Sequence, residues 1–536
     1  MPSLTQLFTN LPFPYSLISN PSASITGIAI DSRKVQPGDL FVAMQGGAVD
    51  GHAFITDAVA RGAAAVVGER EIEPLPVPYI RVDDPRRALG HLAAAFYDHP
   101  GKKLTVIGVT GTDGKTTTSN LLYHILLAAG FKIGLISTVN AVIGDEVLDT
   151  GFHVTTPDAP DVQRYLARMV AAGLTHVILE TTSHGLAQYR VDGSQYDIAI
   201  VTNITHEHLD QHGSYENYRA AKGRLFEMLV ETVEKPQGNP RLAILNFDDK
   251  ASYTYLYGLA PHAVSYGLTH QADIYATNVR YDPSGLRFDI VGTDFHVEAT
   301  SQLVGAYNVS NCLAAFTAAV KGLGVDPVTA ARGIAALPGI PGRMERIDLG
   351  QTFTTIVDFA HTPNALKVSL ETARQILPVE HKEARVIAVF GSAGLRDREK
   401  RRLMAETSAQ LADVTVLTAE DPRTESLDEI LEEMAVGARS QGAEEGQSFF
   451  RVRDRGDAIR FALRLAAPGD IVIACGKGHE QSMCFGTTEY LWDDRTAMRA
   501  ALAELLDVEG PAMPYLPTQD KGSDMAEPSS SDQQKP

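Results

Sequence analysis

At 536 residues the chain has room for about three domains of 100–200 residues, each able to bury its own core. Its net charge of −19 argues against non-specific nucleic-acid binding, which needs a basic face to displace counterions, so an anionic ligand must meet local positive clusters. The three cysteines, Cys312, Cys475 and Cys484, form no C-x-x-C and indicate neither a disulfide frame nor a thiolate zinc site. The stretch MPSLTQLFTNLPFPYSLI has no basic region ahead of an apolar core, and no run approaches the ~20 apolar residues of a membrane span. A cytoplasmic protein is expected.

Residues 1–100 read as a small α/β domain. Two short β-rich runs between Ile25 and Met44 surround the turn Gln36-Pro37-Gly38-Asp39, and Phe54 to Gly68 reads as a helix followed by a strand. The elbow Asp31-Ser32-Arg33 suits either a ligand contact or a capped turn. A helical run from Arg86 to Tyr97 ends at His99-Pro100-Gly101, which makes a linker.

The second domain, 101–338, opens with LTVIGVTGTDGKTTTSN. An apolar run from Leu104 to Val109 predicts a buried parallel strand; Thr110-Gly111-Thr112-Asp113-Gly114-Lys115-Thr116-Thr117 follows, and then an apolar helix face through Leu121, Leu122, Ile125 and Leu126. This is the pattern of a phosphate-binding loop in its short G-T-x-G-K-T form, with Lys115 reaching the outer phosphates and Thr116 offering its hydroxyl to Mg²⁺. Glu180 and Asn203 stand at the carboxyl ends of two later strands, where open α/β sheets bind ligands, and Glu180 is placed to hold the metal. The cluster His206-Glu207-His208-Leu209-Asp210-Gln211-His212 is not a zincin site, because Asp210 stands where H-E-x-x-H needs histidine. His208 and His212 suit a metal pair or a single ligand. Lys222, within the helix Tyr215 to Met228, reads by default as a solvated residue. Residues 241–300 are β-rich, helices follow from Asn308 to Gly322 and from Val328 to Ala336, and Pro338-Gly339-Ile340-Pro341-Gly342 makes a hinge.

The third domain, 339–508, again alternates strand and helix. Four strand ends run into polar loops, at Asp358 and His361, at Gly391 to Arg396, at Glu420-Asp421-Pro422-Arg423, and at Gly476-Lys477-Gly478-His479-Glu480, which converge on one rim. The mixed-charge run Arg396 to Arg402 reads as a largely solvated helix face. Residues 509–536 read as a disordered tail.

DSRKVQPGDLFVA, GVTGTDGKTTT, LETTSHGLAQYRV, NITHEHLDQHGSYENYRAAK, GAYNVSN, PGRMERI, VDFAHTPNAL, EDPRTE and GKGHE, in that order, resemble the Mur ligases over nearly the whole chain, and within them the enzymes that add the third residue to UDP-N-acetylmuramoyl-L-alanyl-D-glutamate. The resemblance implies three α/β domains: a UDP-binding N-terminal domain, a central doubly wound P-loop ATPase sheet, and a Rossmann-like C-terminal domain that receives the amino acid. It implies a cytoplasmic monomer that uses ATP and Mg²⁺ in peptidoglycan synthesis and binds no nucleic acid. It assigns ATP contacts to Gly111 through Thr117, Asn308, Arg343, Asp358 and His361. The muramoyl-dipeptide would meet Ser32, Thr155, Thr156, Thr182, Gln188 and Arg190. Thr116, Glu180, His208 and Lys222, the last as a CO₂-derived carbamate, would serve the metals. Arg396, Glu420, Asp421, Pro422, Arg423, Gly476 and Glu480 would receive the incoming amino acid.

Where diaminopimelate-adding relatives usually show D-N-P-R, this chain has Glu420-Asp421-Pro422-Arg423. The extra acid favours a substrate with a free side-chain ammonium, L-lysine or L-ornithine, and Arg423 keeps meso-diaminopimelate as the alternative. Leu395 replaces the usual acid before Arg-Asp, and Gly47-Ala48-Val49 differs from some relatives on the uridine side. A sister carboxylate–amine ligase would lack GKGHE and E-D-P-R, and a non-catalytic nucleotide-binding protein would lack the lysine or metal positions.

Overall fold

The strand Thr105–Thr110 is buried at every residue, which is why it reads as an unbroken apolar and β-branched run rather than an alternating one. The computed structural model that shows this describes residues 1–16, 22–46, 49–148, 155–205, 212–282, 285–378, 381 and 383–519. The chain separates into two units, Met1–Pro338 and Gly339–Pro536.

In the first unit, Thr105–Thr110 lies inside an 11-stranded sheet, parallel to His176–Glu180 on one side and Tyr196–Val201 on the other. The chain runs from it out to Ile133–Ile136, returns through His176–Glu180, then crosses to Tyr196–Val201, Leu242–Asn246 and His262–Gly267. That crossing opens a crevice at the carboxyl end of Thr105–Thr110. Antiparallel strands finish both edges: Ala141–Ile143 with Glu146–Leu148, and Ile274–Asp282 with Gly285–Gly292 and Phe295–Ser301.

The helix Tyr215–Glu231 covers one face of this sheet. Tyr218, Lys222, Leu225 and Leu229 fall at helical spacing on its buried side, and the large apolar members contribute about 1.5–3 kcal/mol each. Lys222 is therefore not the solvated residue expected by default. The helix expected from Asn308 to Gly322 is α-helical only to Thr317 and continues as a π-helical turn, Ala318–Gly322.

The N-terminal part of this unit is a parallel four-stranded sheet in the order Gly27–Ala29, Asp39–Val42, Ala65–Gly68, Tyr79–Arg81. Its core joins Leu4, Leu7 and Phe8 to Leu40, Val42, Ile80 and Leu92, and reaches Ala159 of the helix Ala159–Ala171. The helix Pro85–Phe96 starts with proline behind an Asp84 cap.

The second unit is a six-stranded sheet in the order Glu345–Ile347, Thr354–Asp358, Ile471–Cys475, Val386–Phe390, Val414–Leu417, Phe449–Arg451, parallel except at Glu345–Ile347. Two expectations change here. Arg401, read as part of a solvated face, is fully buried and pairs with Glu425 at 2.8 Å and Glu433 at 2.9 Å, because acids distant in sequence meet it. Residues 509–519, read as tail, pack on the unit: Leu516 is fully buried and the Thr518 hydroxyl donates to Asp454 Oδ2 at 2.8 Å. Residues 520–536 lie outside the described residues. No helix among the described residues is long and apolar enough to cross a membrane.

Candidate active site

The loop Gly111–Lys115 turns sharply between the central strand and the helix Lys115–Ala128. Gly111 (φ +151°) and Gly114 (φ +78°) make the turn, and a Cβ on them would stand 1.8 Å from Thr202 Oγ1 and 2.2 Å from Asn311 Oδ1. Among the described residues no side chain caps this helix, so its first N–H groups, at Lys115 to Thr117, suit an anion. Thr112 is anchored: its hydroxyl accepts from Thr205 N at 2.9 Å and shares a hydrogen bond with Tyr218 OH at 3.1 Å. Asp113 N donates to Asn203 Oδ1 at 3.0 Å. The half-buried Lys115 ammonium folds back onto Gly111 O at 3.1 Å and Thr112 O at 2.8 Å.

Glu180 is buried beside the loop. Its carboxylate accepts from Thr116 Oγ1 at 3.0 and 3.1 Å, from Thr138 N at 2.9 Å and from Thr138 Oγ1 at 2.8 Å. A threonine hydroxyl and a carboxylate held together are the hard oxygen donors that Mg²⁺ takes, and that ion completes its octahedron with phosphates and water rather than a protein cage. Thr138 was missed in the sequence, although it follows the strand Ile133–Ile136 just as Glu180 ends its own. Lys222, on the helix behind, donates to Gly111 O at 2.6 Å and lies 4.6 Å from the Tyr218 ring centre. His212 Nε2 meets Ser183 Oγ at 3.2 Å; His208 lies outside the described residues, and with it both readings of that pair, two metal ligands or one.

Four of the six residues that the resemblance gives to the muramoyl-dipeptide, Thr156, Thr182, Gln188 and Arg190, are joined to this cluster. Thr156 Oγ1 donates to Glu180 O at 3.2 Å and shares a hydrogen bond with Thr182 Oγ1 at 3.1 Å. Arg190 donates to Thr156 O at 2.9 Å and to Gln188 Oε1 at 3.0 Å. Thr155 precedes them, half-buried. Ser32 lies between the strands Gly27–Ala29 and Asp39–Val42, at the start of a 3-10 turn whose cap, Asp31, accepts from Arg33 N at 3.0 Å. Hydrogen bonds from Arg33 hold that carboxyl down at about 2. Asn308 reaches the loop only indirectly: it accepts from Asn311 Nδ2 at 2.8 Å, and Asn311 faces Gly114.

On the second unit, four strand ends carry the rim. Asp358 is occupied by three donors, Met344 N at 2.7 Å, Ala360 N at 3.0 Å and Ser369 Oγ at 2.7 Å, so it braces the backbone around Arg343 and His361. Those two converge on Phe359, which sequence reasoning missed: Arg343 lies 4.5 Å from its ring centre, His361 4.4 Å and His479 4.9 Å. Burial, with Lys400 beside His361 and Arg343 beside His479, pushes both imidazoles down to about 3.

The stability these neutral rings contribute is present above pH 6.5 and is lost as pH falls towards 3. By pH 5 the loss is about 1–2 kcal/mol per histidine. Thermal unfolding checks this: the drop in Tm between pH 7 and pH 5 should shrink in His479→Gln.

Asp421 does not face outward as an open carboxylate. Lys477 Nζ donates to it at 3.1 and 3.2 Å and Cys484 N at 2.9 Å, while the same ammonium pairs with Glu480 at 2.6 Å. Burial opposes the Lys477 charge, yet Glu480 and Asp421 hold its pKa above the ordinary value. Burial pushes the Glu420 carboxyl up; its Oε2, against Gly476, has no hydrogen-bond partner among the described residues. Arg423, half-buried, donates to Gly394 O at 3.0 Å, and Gly394 N donates to Asp421 O at 2.9 Å, which joins the two loops around Pro422. Arg396 is exposed nearby in sequence.

Three family models match in chain order: the Mur ligase family catalytic domain over residues 24–97, the Mur ligase middle domain over 109–319, and the Mur ligase glutamate ligase domain over 342–478. A UDP-N-acetylmuramyl-tripeptide synthetase from Roseiflexus sp. (strain RS-1) is 44% identical over 490 residues, 90% of this chain and 95% of the relative. The ligase of UDP-N-acetylmuramoyl-L-alanyl-D-glutamate and 2,6-diaminopimelate from Geobacillus thermodenitrificans (strain NG80-2) is 42% identical over 480 residues, 90% of this chain and 95% of the relative. A solved structure of a ligase with that same pair of substrates in its name superposes with a TM-score of 0.65 at 30% identity, covering 94% of this chain and 99% of the other.

Proposed function

The chain belongs to the Mur ligase family and is an ATP-dependent ligase, and from that premise we propose that it joins a diamino acid to the D-glutamyl side chain of UDP-N-acetylmuramoyl-L-alanyl-D-glutamate in peptidoglycan assembly. One observation carries this reading. A continuous hydrogen-bonded path runs from Thr116 of the phosphate loop through Glu180 to Thr156, Thr182 and Arg190. It supports a phosphoryl donor and a carboxylate acceptor held side by side, which is most of what phosphoryl transfer asks of a protein.

In the proposed reaction, the γ-phosphate passes to the D-glutamyl carboxylate, giving an acyl phosphate and ADP. Lys115 leaves the loop carbonyls for the phosphates, and the helix N-terminus meets their charge. Mg²⁺ held by Thr116 and Glu180 would neutralise charge on the transferring group. The amine then attacks the acyl carbon, and phosphate leaves as the amide forms. Residues 1–100 take the UDP end, with Ser32 as a contact, 101–338 the ATP, and 339–508 the amino acid. All three substrates are small and soluble, which suits a cytoplasmic enzyme.

For the amino acid, L-lysine or L-ornithine is the first reading. Asp421 and Glu480 share one ammonium, Lys477, so these three side chains together keep about one negative charge with which to receive a substrate ammonium. meso-Diaminopimelate is the second, because Arg423 spends one of five N–H donors on Gly394 O and suits a further carboxylate, and because the Geobacillus relative is named for that substrate.

Phosphate release with ATP, Mg²⁺ and the UDP-muramoyl-dipeptide, measured with each amine in turn, decides between them. Release with none would return a sister ligase or a non-catalytic role. Arg423→Ala should raise the amino-acid KM at least tenfold and leave that for ATP unchanged; equal effects on both would contradict its role.

A further inference from the structure

Two loops of the amino-acid rim are rooted on a single guanidinium. Arg455 is the first residue of the helix Arg455–Leu465 and is fully buried. A cation there meets the positive end of the helix dipole, so helix stability does not explain it. Its partners do. Nε and Nη2 form a two-pronged pair with Asp494, each at 2.6 Å, and Asp494 is the equally buried first residue of the helix Asp494–Leu506. Asp494 Oδ1 also accepts from Trp492 Nε1 at 2.8 Å.

The remaining contacts leave the pair. Nη1 donates to Ala419 O at 3.2 Å and Nη2 to Cys475 O at 2.7 Å. Ala419 immediately precedes Glu420-Asp421-Pro422-Arg423, and Cys475 immediately precedes Gly476-Lys477-Gly478-His479-Glu480. One planar fork thus holds the root of each loop by a backbone carbonyl, while Lys477 ties their outer parts through Asp421 and pairs with Glu480 within its own loop. A buried ion pair adds little stability over apolar side chains of the same volume, but apolar side chains cannot hold two carbonyls at a set spacing.

We propose that Arg455, oriented by Asp494, is a positioning residue for the incoming amino acid. It sets the spacing between Asp421–Arg423 and Gly476–Glu480 and so governs capture of the amino acid, with no part in nucleotide use. This rests on the reading that those loops receive the amino acid. The loops would hold the amino acid by charge-assisted hydrogen bonds, which weaken steeply with distance and angle, so loosening the clamp should be visible in its KM.

The test compares the full-length chain with Arg455→Lys and with the double variant Arg455→Met, Asp494→Leu. Lysine keeps the charge opposite Asp494 and loses the reach to both carbonyls; the double variant replaces the pair by apolar volume. In each, the KM for the amino acid used by the parent should rise at least tenfold, while kcat and the KM for ATP stay within about threefold. Amide hydrogen exchange should quicken at residues 420–423 and 476–480 while the core strands keep their protection. A folded variant with an unchanged amino-acid KM overturns the proposal, and so does an equal rise in the KM for ATP. Failure of both variants to fold overturns it as well, because Arg455 would then serve stability. If the parent releases no phosphate with any amine, the functional reading falls, and exchange at the two loops decides the clamp by itself.

Discussion

Lys115→Ala is expected to lower ATP-driven phosphate release by about 10³-fold while leaving the fold intact. Among the described residues the ammonium donates to carbonyls of its own loop, Gly111 O and Thr112 O, and its side chain is half-buried. Water can replace it there, so the stability change should stay within about 1 kcal/mol. The catalytic loss is larger because a charge aimed at the transferring phosphoryl group meets charge that develops in the transition state, where one such preorganised group is worth about 3–4 kcal/mol. Single-turnover ADP formation and thermal unfolding measure the two effects separately. Substantial turnover in the variant would sink the assignment of the loop.

The second large effect concerns Lys222. Its ammonium is buried, 2.6 Å from Gly111 O, on a helix whose buried residues include Tyr218, Leu225, Phe226 and Leu229. If the ammonium gives up a proton and the neutral amine adds CO₂ with loss of a second proton, the cation becomes a carbamate, an anion able to serve a metal ion beside the phosphate loop. Lys222→Ala should be nearly inactive, again by about 10³-fold, and should also lose about 2–3 kcal/mol of stability to the cavity it leaves. Lys222→Met separates these effects, since it fills the space and should be equally inactive. Acetate or formate in solution should partly restore Lys222→Ala, and protein prepared with ¹³C-bicarbonate should show one carbamate carbon that Lys222→Met lacks. Full activity of either variant without rescue would remove the role.

Lys222 also shows how a readable signal can be passed over. Its spacing from Tyr218, Leu225 and Leu229 is that of a buried stripe, but a lysine is so commonly solvated that residue type outweighed position. Thr138 is similar: the strand-end rule that found Glu180 applies to it, yet without a charge it drew no attention. Arg401 differs, because nothing near it in sequence announces Glu425 and Glu433 as partners.

Asp421 shows the same limit at the rim. The change from D-N-P-R to E-D-P-R was legible and suggested an acid waiting for a substrate ammonium, whereas the fold supplies Lys477 as an internal counter-ion. The specificity argument therefore moves from one carboxylate to the balance among Asp421, Glu480 and Lys477.

Local rules were enough for the phosphate loop, the alternation of strands and helices, and the acids and amides at strand ends. Glycine where the backbone must turn back, β-branched residues where both faces are covered, and polar residues where a strand stops are each imposed within about ten residues of chain. The fold alone settled which side chains share a proton or a charge. Glu180 bridging Thr116 and Thr138, Lys477 between Asp421 and Glu480, and Arg455 beneath two loops are pairings across 42 and 64 residues of sequence in the first case and up to 56 in the second. Their energies depend on distance and on the exclusion of water, and both are properties of packing that no short stretch of chain contains.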